Sequence, residues 1–580
     1  MAEPSTLVIR NGTIVDGRGG EPFVGDVAII GGRIAEVGRV TLRGEREIDA
    51  TGLLVTPGFV DIHTHYDAQA LWSNRLDPSS WNGVTTVMIG NCGVGFAPCK
   101  PEQRDMLVAL MEGVEDIPEV VMTEGLDWNW ETFPQFLDRL DARQFDLDIV
   151  AQVPHAAIRV YVMGERGFQR EPSTDAERRE MARLTVEGLK AGAVGFSTSR
   201  AIAHKTLAGE PTPTLGSAEE ELAVIAEAVG RFGAGWLQVI SDFDDPDGEF
   251  ALLRRVAERS NGRAISLTFA QRENDPKRYK RLLDLLGQAN RDGVRMIAQV
   301  MGRPIAINLG FELSINPFCE RPSYKAIAHL PFAERLAALR TPALRSALLS
   351  EVTEDPMLRR RLNSWERMFE LGNPANYEPH PDDSMAARAA RAGVPVEAFV
   401  YDLLTAGDGK ATLYRPVSNY VDGNLDVCLE MMRHPNTVMG LGDGGAHYSF
   451  ICDSSTVTHS IMHWTRDRTR GERVPLPWMI RRLTHDAAVA IGLEDRGVIA
   501  PGYKADLNVI DYDRLAIGPL EVAYDLPAGG KRLIQRVEGY AATILSGVVV
   551  AEGGKPTGTL PGRLVRGVQP APATERIAAE

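Results

Sequence analysis

Short β-branched runs alternate with turn signals at the start of the chain. Leu7-Val8-Ile9-Arg10 precedes Asn11-Gly12 and Thr13-Ile14-Val15, and Asp26-Val27-Ala28-Ile29-Ile30 precedes Gly31-Gly32. Asn-Gly and Gly-Gly between such runs are hairpin chemistry, because these residues enter the left-handed region at little steric cost. The same texture returns in Ala505-Asp506-Leu507-Asn508-Val509-Ile510 and in Ala541-Ala542-Thr543-Ile544-Leu545 before Ser546-Gly547. Strands this short cannot bury their apolar faces alone. Segments 1–57 and 494–565 are therefore expected to pair into one small β-sandwich domain.

Between them lie eight apolar runs that end in polar residues or glycine: 58–65, 84–92, 148–155, 193–199, 236–241, 264–270, 295–303 and 437–443. Apolar residues at helical spacing separate many of them, as in 176–190, 219–231 and 281–290. Eight alternating β/α units predict a closed parallel (β/α)8 TIM barrel over 58–493. The competing open, doubly wound sheet has no Gly-x-Gly-x-x-Gly turn to support it. Segment 304–436 is far longer than a βα connection needs, and its proline-rich, helix-prone content predicts an inserted helical lid region over the barrel mouth. Segment 566–580, with Pro570, Pro572 and several alanines, has little to bury and is expected to be a flexible tail or peripheral arm.

Composition narrows the function. With 44% hydrophobic residues in 580, the chain can bury a large core. A net charge of -15 opposes binding to phosphate backbones or anionic membranes, so neither nucleic acid nor membrane is an expected partner. No secretory signal pattern opens the sequence and no apolar run approaches the roughly 20 residues of a membrane span, which gives a cytoplasmic expectation. Cys92, Cys99, Cys319, Cys428 and Cys452 are odd in number and scattered, unlike a disulfide framework.

The first barrel run ends in Val60-Asp61-Ile62-His63-Thr64-His65, and strand alternation puts both imidazoles on the side of the barrel axis. A histidine pair at this spacing suits a borderline metal such as zinc; for an isolated pair two satisfied polar side chains would be the preferred explanation, which position and company weaken here. The second run ends in Gly90-Asn91-Cys92-Gly93, where the thiol is either a metal ligand or an inert buried cysteine. The eighth ends in Leu441-Gly442-Asp443-Gly444-Gly445, where the carboxylate is either a ligand and proton acceptor or a turn residue. Together these four form a metal-and-water centre, in which a metal lowers the pKa of water to roughly 7 and polarises a carbonyl. Asp443 then takes a proton from the attacking water and returns it to a leaving nitrogen. His155 and His204 follow the third and fourth strands and are candidates for an oxyanion or additional metal role.

These segments resemble the amidohydrolase superfamily, specifically its N-acyl-D-amino-acid deacylase (D-aminoacylase) branch. The resemblance runs from Leu7 to Gly17 through Pro57-Gly58-Phe59-Val60-Asp61-Ile62-His63-Thr64-His65, Gly90-Asn91-Cys92-Gly93, Gly192 to Thr198 and Gly442-Asp443-Gly444 to Gly497 to Leu507. It implies a zinc-dependent hydrolase with His63, His65 and Cys92 as ligands and Asp443 as catalytic base. The sequence also departs from that branch, in which strands five and six each end in a histidine. Here they read Trp236-Leu237-Gln238-Val239-Ile240-Ser241 and Ser266-Leu267-Thr268-Phe269-Ala270-Gln271. Glutamines are poor zinc ligands, so one metal held by His63, His65 and Asp443, with Cys92 in or near the fourth position, is expected rather than two.

The branch also places arginine after the catalytic aspartate to grip a substrate carboxylate, whereas here none occurs between Gly444 and Arg466. Arg200, Arg272 and Arg303 follow other strands and are the candidates for that clamp, with His447 a further candidate substrate contact. The leading reading is amide hydrolysis of an N-acylated amino acid or related small molecule. Its rivals are hydrolysis of a cyclic amide, carbamate or lactone, and a catalytically lapsed barrel that binds. The insertion offers surface for an interface, which leaves a homo-oligomer open.

Overall fold

The structure, a computed structural model, describes residues 6–573. All eight barrel runs become parallel strands: Phe59–Asp61 (β1), Val84–Ile89 (β2), Asp148–Pro154 (β3), Gly195–Arg200 (β4), Trp236–Ser241 (β5), Ile265–Thr268 (β6), Met296–Val300 (β7) and Thr437–Met439 (β8). They pair in sequence order, each with the next. Every residue of β2 and β3 is buried, as expected where helices cover one face and the barrel interior the other. The helices between them carry their own punctuation. Helix Asp175–Ala191 starts on a Thr174–Glu177 capping box and ends at Gly192, and helix Pro246–Arg259 starts on Asp245.

β1 and β8 do not pair as strands, so closure falls to the residues just beyond them. The Asp443 N–H donates to the His63 carbonyl at 3.0 Å, and the His65 N–H donates to the Gly444 carbonyl at 2.8 Å. The barrel is thus sewn shut at its mouth by the same residues that the sequence marks for chemistry.

Strands from both chain ends form one nine-stranded sheet, joined where Leu54–Pro57 runs antiparallel to Leu507–Ile510. Leu7, Ile9, Val27, Ile29, Val509 and Ile544 fill its core. Buried Asp148 at the start of β3 binds Arg496 at 2.8 Å and Lys504 at 3.0 Å, tying this sheet to the foot of the barrel. The segment after β7 carries helices and a three-stranded antiparallel sheet of Ala306–Leu309, Leu413–Pro416 and Phe369–Glu370. It packs a core of its own around Leu309, Phe311, Phe318 and Tyr401. The hairpin Ala516–Ala523 and Arg532–Glu538 leaves the end sheet and reaches the barrel mouth, where the Leu533 N–H donates to the Tyr448 carbonyl and Tyr377 donates to Gln535.

The expectation of a flexible or peripheral tail divides. Arg566 pairs with Asp138 and Asp141, and the Gln569 backbone bonds to Gly492 and Glu494, so this stretch lies fastened to the barrel. Residues 574–580 lie outside the described residues.

Candidate metal centre

His63 and His65 stand just past the end of β1, and their Nε2 atoms converge on Asp443 Oδ1, at 3.7 and 3.9 Å. Cys92 Sγ lies 3.3 Å from His63 Nε2. The backbone is bent to achieve this. Cys92, Leu441, Asp443 and His447 all adopt positive φ, at 56°, 70°, 46° and 55°, each costing about 1–3 kcal/mol for a non-glycine residue. The glycines flanking Cys92 are required by contact. A Cβ on Gly90 would sit 2.3 Å from the Gln152 carbonyl oxygen, and one on Gly93 would sit 2.7 Å from the Thr198 Cα. Such strain is retained where a side chain must be aimed.

Side-chain amides hold the ligand frame from below. Gln299 on β7 places Oε1 2.7 Å from His63 Nδ1 and donates its Nε2 to Ser266 on β6 at 3.0 Å. Gln238 on β5 accepts the Cys92 N–H at 3.1 Å, touching the backbone of the cysteine rather than its thiol. Gln271 faces the insertion instead, with its side chain bonded to Asp422 and the Val421 N–H.

Two acidic residues not singled out in the sequence also belong to the centre. Glu115 ends helix Arg104–Glu115 and lies 3.4 Å from His65 Nδ1, with its other oxygen 3.9 Å from His447 Nε2. Asp67, two residues beyond His65, is fully enclosed and its carboxyl is pushed up to about 7 by burial. Burial raises the Cys92 thiol well above its ordinary value, and the carboxylates of Glu115, Asp443 and Asp67 add to that. Glu115 and Asp443 are themselves raised by burial and by neighbouring acids, and no basic side chain figures among the leading charges acting on them. Burial lowers the imidazoles, taking His63 and His447 to about 4.

This donor set fits a divalent cation. Asp443 Oδ1, Glu115 Oε1, His65 Nδ1 and Asp67 Oδ2 are buried without a hydrogen-bond partner, an expensive condition for acidic groups that have no counter-charge. The ligand atoms of His63, His65 and Cys92 all lie within 4.8 Å of one another, close enough to share one cation, and Asp443 Oδ1 approaches the two imidazoles at 3.7 and 3.9 Å.

Other expected residues fall elsewhere. β3 ends at Pro154 and a helix begins at His155, so this imidazole leaves the strand's in-and-out alternation. It accepts or donates at Thr198 and pairs with Glu221 at 3.1 Å. Arg200 spends its guanidinium on Glu249 and the Ser217 carbonyl. Arg303 is fully buried, bound to Asp453, Ser455 and the Cys452 carbonyl and stacked 4.1 Å over the Tyr377 ring. His155, Arg200 and Arg303 are therefore withdrawn as candidates for contact with substrate or metal. His204, bonded to Ser199 at 2.9 Å, is lowered to about 3 by burial, with His447, His63 and Arg272 contributing, which places it at the mouth. Arg272 is partly exposed there, 3.7 Å from Asp242.

Among the described residues, no helix is long and apolar enough to cross a membrane. An uncharacterized protein of Mycobacterium tuberculosis is 27% identical over 95% of this chain and 92% of its own length. An N-acyl-D-aspartate deacylase of Alcaligenes xylosoxydans xylosoxydans is 28% identical over 87% of this chain and 85% of its own. Among solved structures, an N-acyl-D-glutamate deacylase from Bordetella bronchiseptica, complexed with zinc and a phosphonate inhibitor, superposes with a TM-score of 0.62. It is 21% identical, over 97% of this chain and 100% of that one. The Amidohydrolase family model matches residues 46–551, all eight barrel strands together with the part of the end sheet from Arg46 onward, and the chain belongs to that family.

Proposed function

We propose that this chain hydrolyses the amide bond of an N-acylated amino acid, using one zinc held by His63, His65, Cys92 and Asp443. The observation that carries the reading is the convergence of both Nε2 atoms on the unpartnered Asp443 Oδ1 at the barrel mouth. The deacylase relative gives the substrate class its direction. When bound, zinc supplies Lewis acidity, polarising the scissile carbonyl and making water a stronger acid. Asp443, whose Oδ1 faces both Nε2 atoms at 3.7 and 3.9 Å, would accept the proton of the attacking water and hand it to the leaving amine. His447 and His204 line the approach to the scissile carbonyl, and Arg272 is the arginine of the three with donors left for a substrate carboxylate. Gln238 on strand five is spent on the Cys92 backbone and Gln271 after strand six on the insertion, uses of those positions that favour one metal over two.

The test is metal content by mass spectrometry on wild type and His63→Ala, with turnover of N-acyl-D- and N-acyl-L-amino acids beside cyclic amides. About one zinc per chain, lost in the variant, together with turnover of the linear amides is the expected result. Turnover of cyclic amides alone would overturn the substrate class, and no metal after zinc supplementation would favour a lapsed barrel.

A further inference from the structure

We propose that Glu115 is a positioning residue for the metal centre. It accepts a hydrogen bond from the Nδ1–H of His65, so that Nε2 is left bare and aimed at the metal, and it ties this imidazole to His447. The proposal rests on the reading that His63 and His65 bind a metal through Nε2.

The two metal-side histidines are handled in parallel. Each points Nε2 towards Asp443 Oδ1 and Nδ1 towards a side-chain oxygen: Gln299 Oε1 for His63 at 2.7 Å and Glu115 Oε1 for His65 at 3.4 Å. An imidazole that binds metal through one nitrogen must carry its proton on the other, and an acceptor there fixes both tautomer and ring orientation. An anionic acceptor also makes the bound nitrogen more basic, which a neutral amide does less well. Glu115 is only 2% exposed, and its Oε1 and His65 Nδ1, buried and 3.4 Å apart, have no other polar partner. Its second oxygen faces His447 Nε2 at 3.9 Å, and its backbone carbonyl accepts the His447 N–H. One residue from the β2 connection thereby links a ligand after β1 to the loop after β8. A carboxylate buried for packing alone would have no reason to lack an arginine, lysine or hydroxyl partner.

The experiment measures zinc affinity by competition with a chromophoric chelator in wild type, Glu115→Gln, Glu115→Asp and His63→Ala, together with urea unfolding of the chelated proteins. The cobalt-loaded forms are examined by absorption. Glu115→Gln is expected to bind zinc about 10- to 100-fold more weakly. Its chelated form should be at least as stable as wild type, because an uncharged amide replaces a buried carboxyl without a counter-ion. The thiolate-to-cobalt band should persist, since Cys92 does not depend on His65. Glu115→Asp, which keeps the charge on a shorter arm, should recover part of the affinity; it also serves if Glu115→Gln does not fold. Zinc binding in Glu115→Gln within threefold of wild type would overturn the proposal. So would a fall in affinity matched by an equal fall in stability of the chelated protein. A wild type that binds no zinc, indistinguishable from His63→Ala, would instead remove the metal reading beneath it.

Discussion

Two buried histidine–glutamate pairs in this barrel are electrostatic opposites. His155 and Glu221 lie 3.1 Å apart, and Glu221 also holds Arg159 and Ser173. Burial works against its charge, but these partners outweigh burial and bring the carboxyl down to about 2. His65 and Glu115 lie 3.4 Å apart with no arginine or hydroxyl to join them, and Glu115 moves the other way, well above its ordinary value. Proximity of a histidine and an acid thus says little about function. What separates a structural pair from a site is whether the charges close among themselves or still call for a cation.

The largest expected effect is on turnover. Asp443→Asn removes the proton carrier of the open cluster and should lower kcat by about 10²- to 10⁴-fold, measured across the substrate panel; unchanged hydrolysis would break the contrast at its functional end. On the closed side, Glu221→Gln strands Arg159 in a buried site. It should cost about 3–5 kcal/mol in urea unfolding, and a loss below 1 kcal/mol would show that this pair is not self-neutralising as described. Arg272→Ala should raise KM for N-acyl amino acids by roughly 10- to 100-fold, the worth of a charged hydrogen bond, with kcat little changed. Arg200→Ala should instead act on stability, and a KM effect from Arg200 rather than Arg272 would reverse the assignment at the mouth.

The smallest effect is pH dependence. Glu221 is depressed in the folded state, so its contribution is complete above its ordinary value of 4.5 and is lost as pH falls towards 2. In wild type, stability over that window should fall more steeply than in Glu221→Gln.

The barrel was legible because each strand is an apolar run ending in polar residues, a pattern that survives without knowledge of neighbours. His63, His65, Cys92 and Asp443 stand just beyond the ends of such runs, which marks them in the sequence, but the aim of Cys92 and Asp443 comes from positive-φ turns that the runs do not encode. Glu115 was not: it ends an amphipathic helix, where a glutamate ordinarily meets solvent, and only the packing of that helix against the mouth buries it. Asp67 lies two residues beyond His65, outside the strand, so no alternation in the sequence aims its side chain. His155 and Arg303 misled in the opposite sense. A helix starting at His155 and the ring of Tyr377 under Arg303 redirect side chains that strand position alone sends to the mouth.

The joining of the two chain ends also sets a timetable for synthesis. Asn508 donates to the Gly83 carbonyl across 425 residues, and Leu54–Pro57, which leads straight into β1, pairs with Leu507–Ile510. At about 5–20 residues per second, translation leaves this early strand without its partner for tens of seconds. The ribosome has therefore made His63, His65 and Cys92 long before Asp443 closes the seam beside them. If the metal is held as proposed above, with Asp443 among its ligands, the site is completed only once the last barrel strand has emerged.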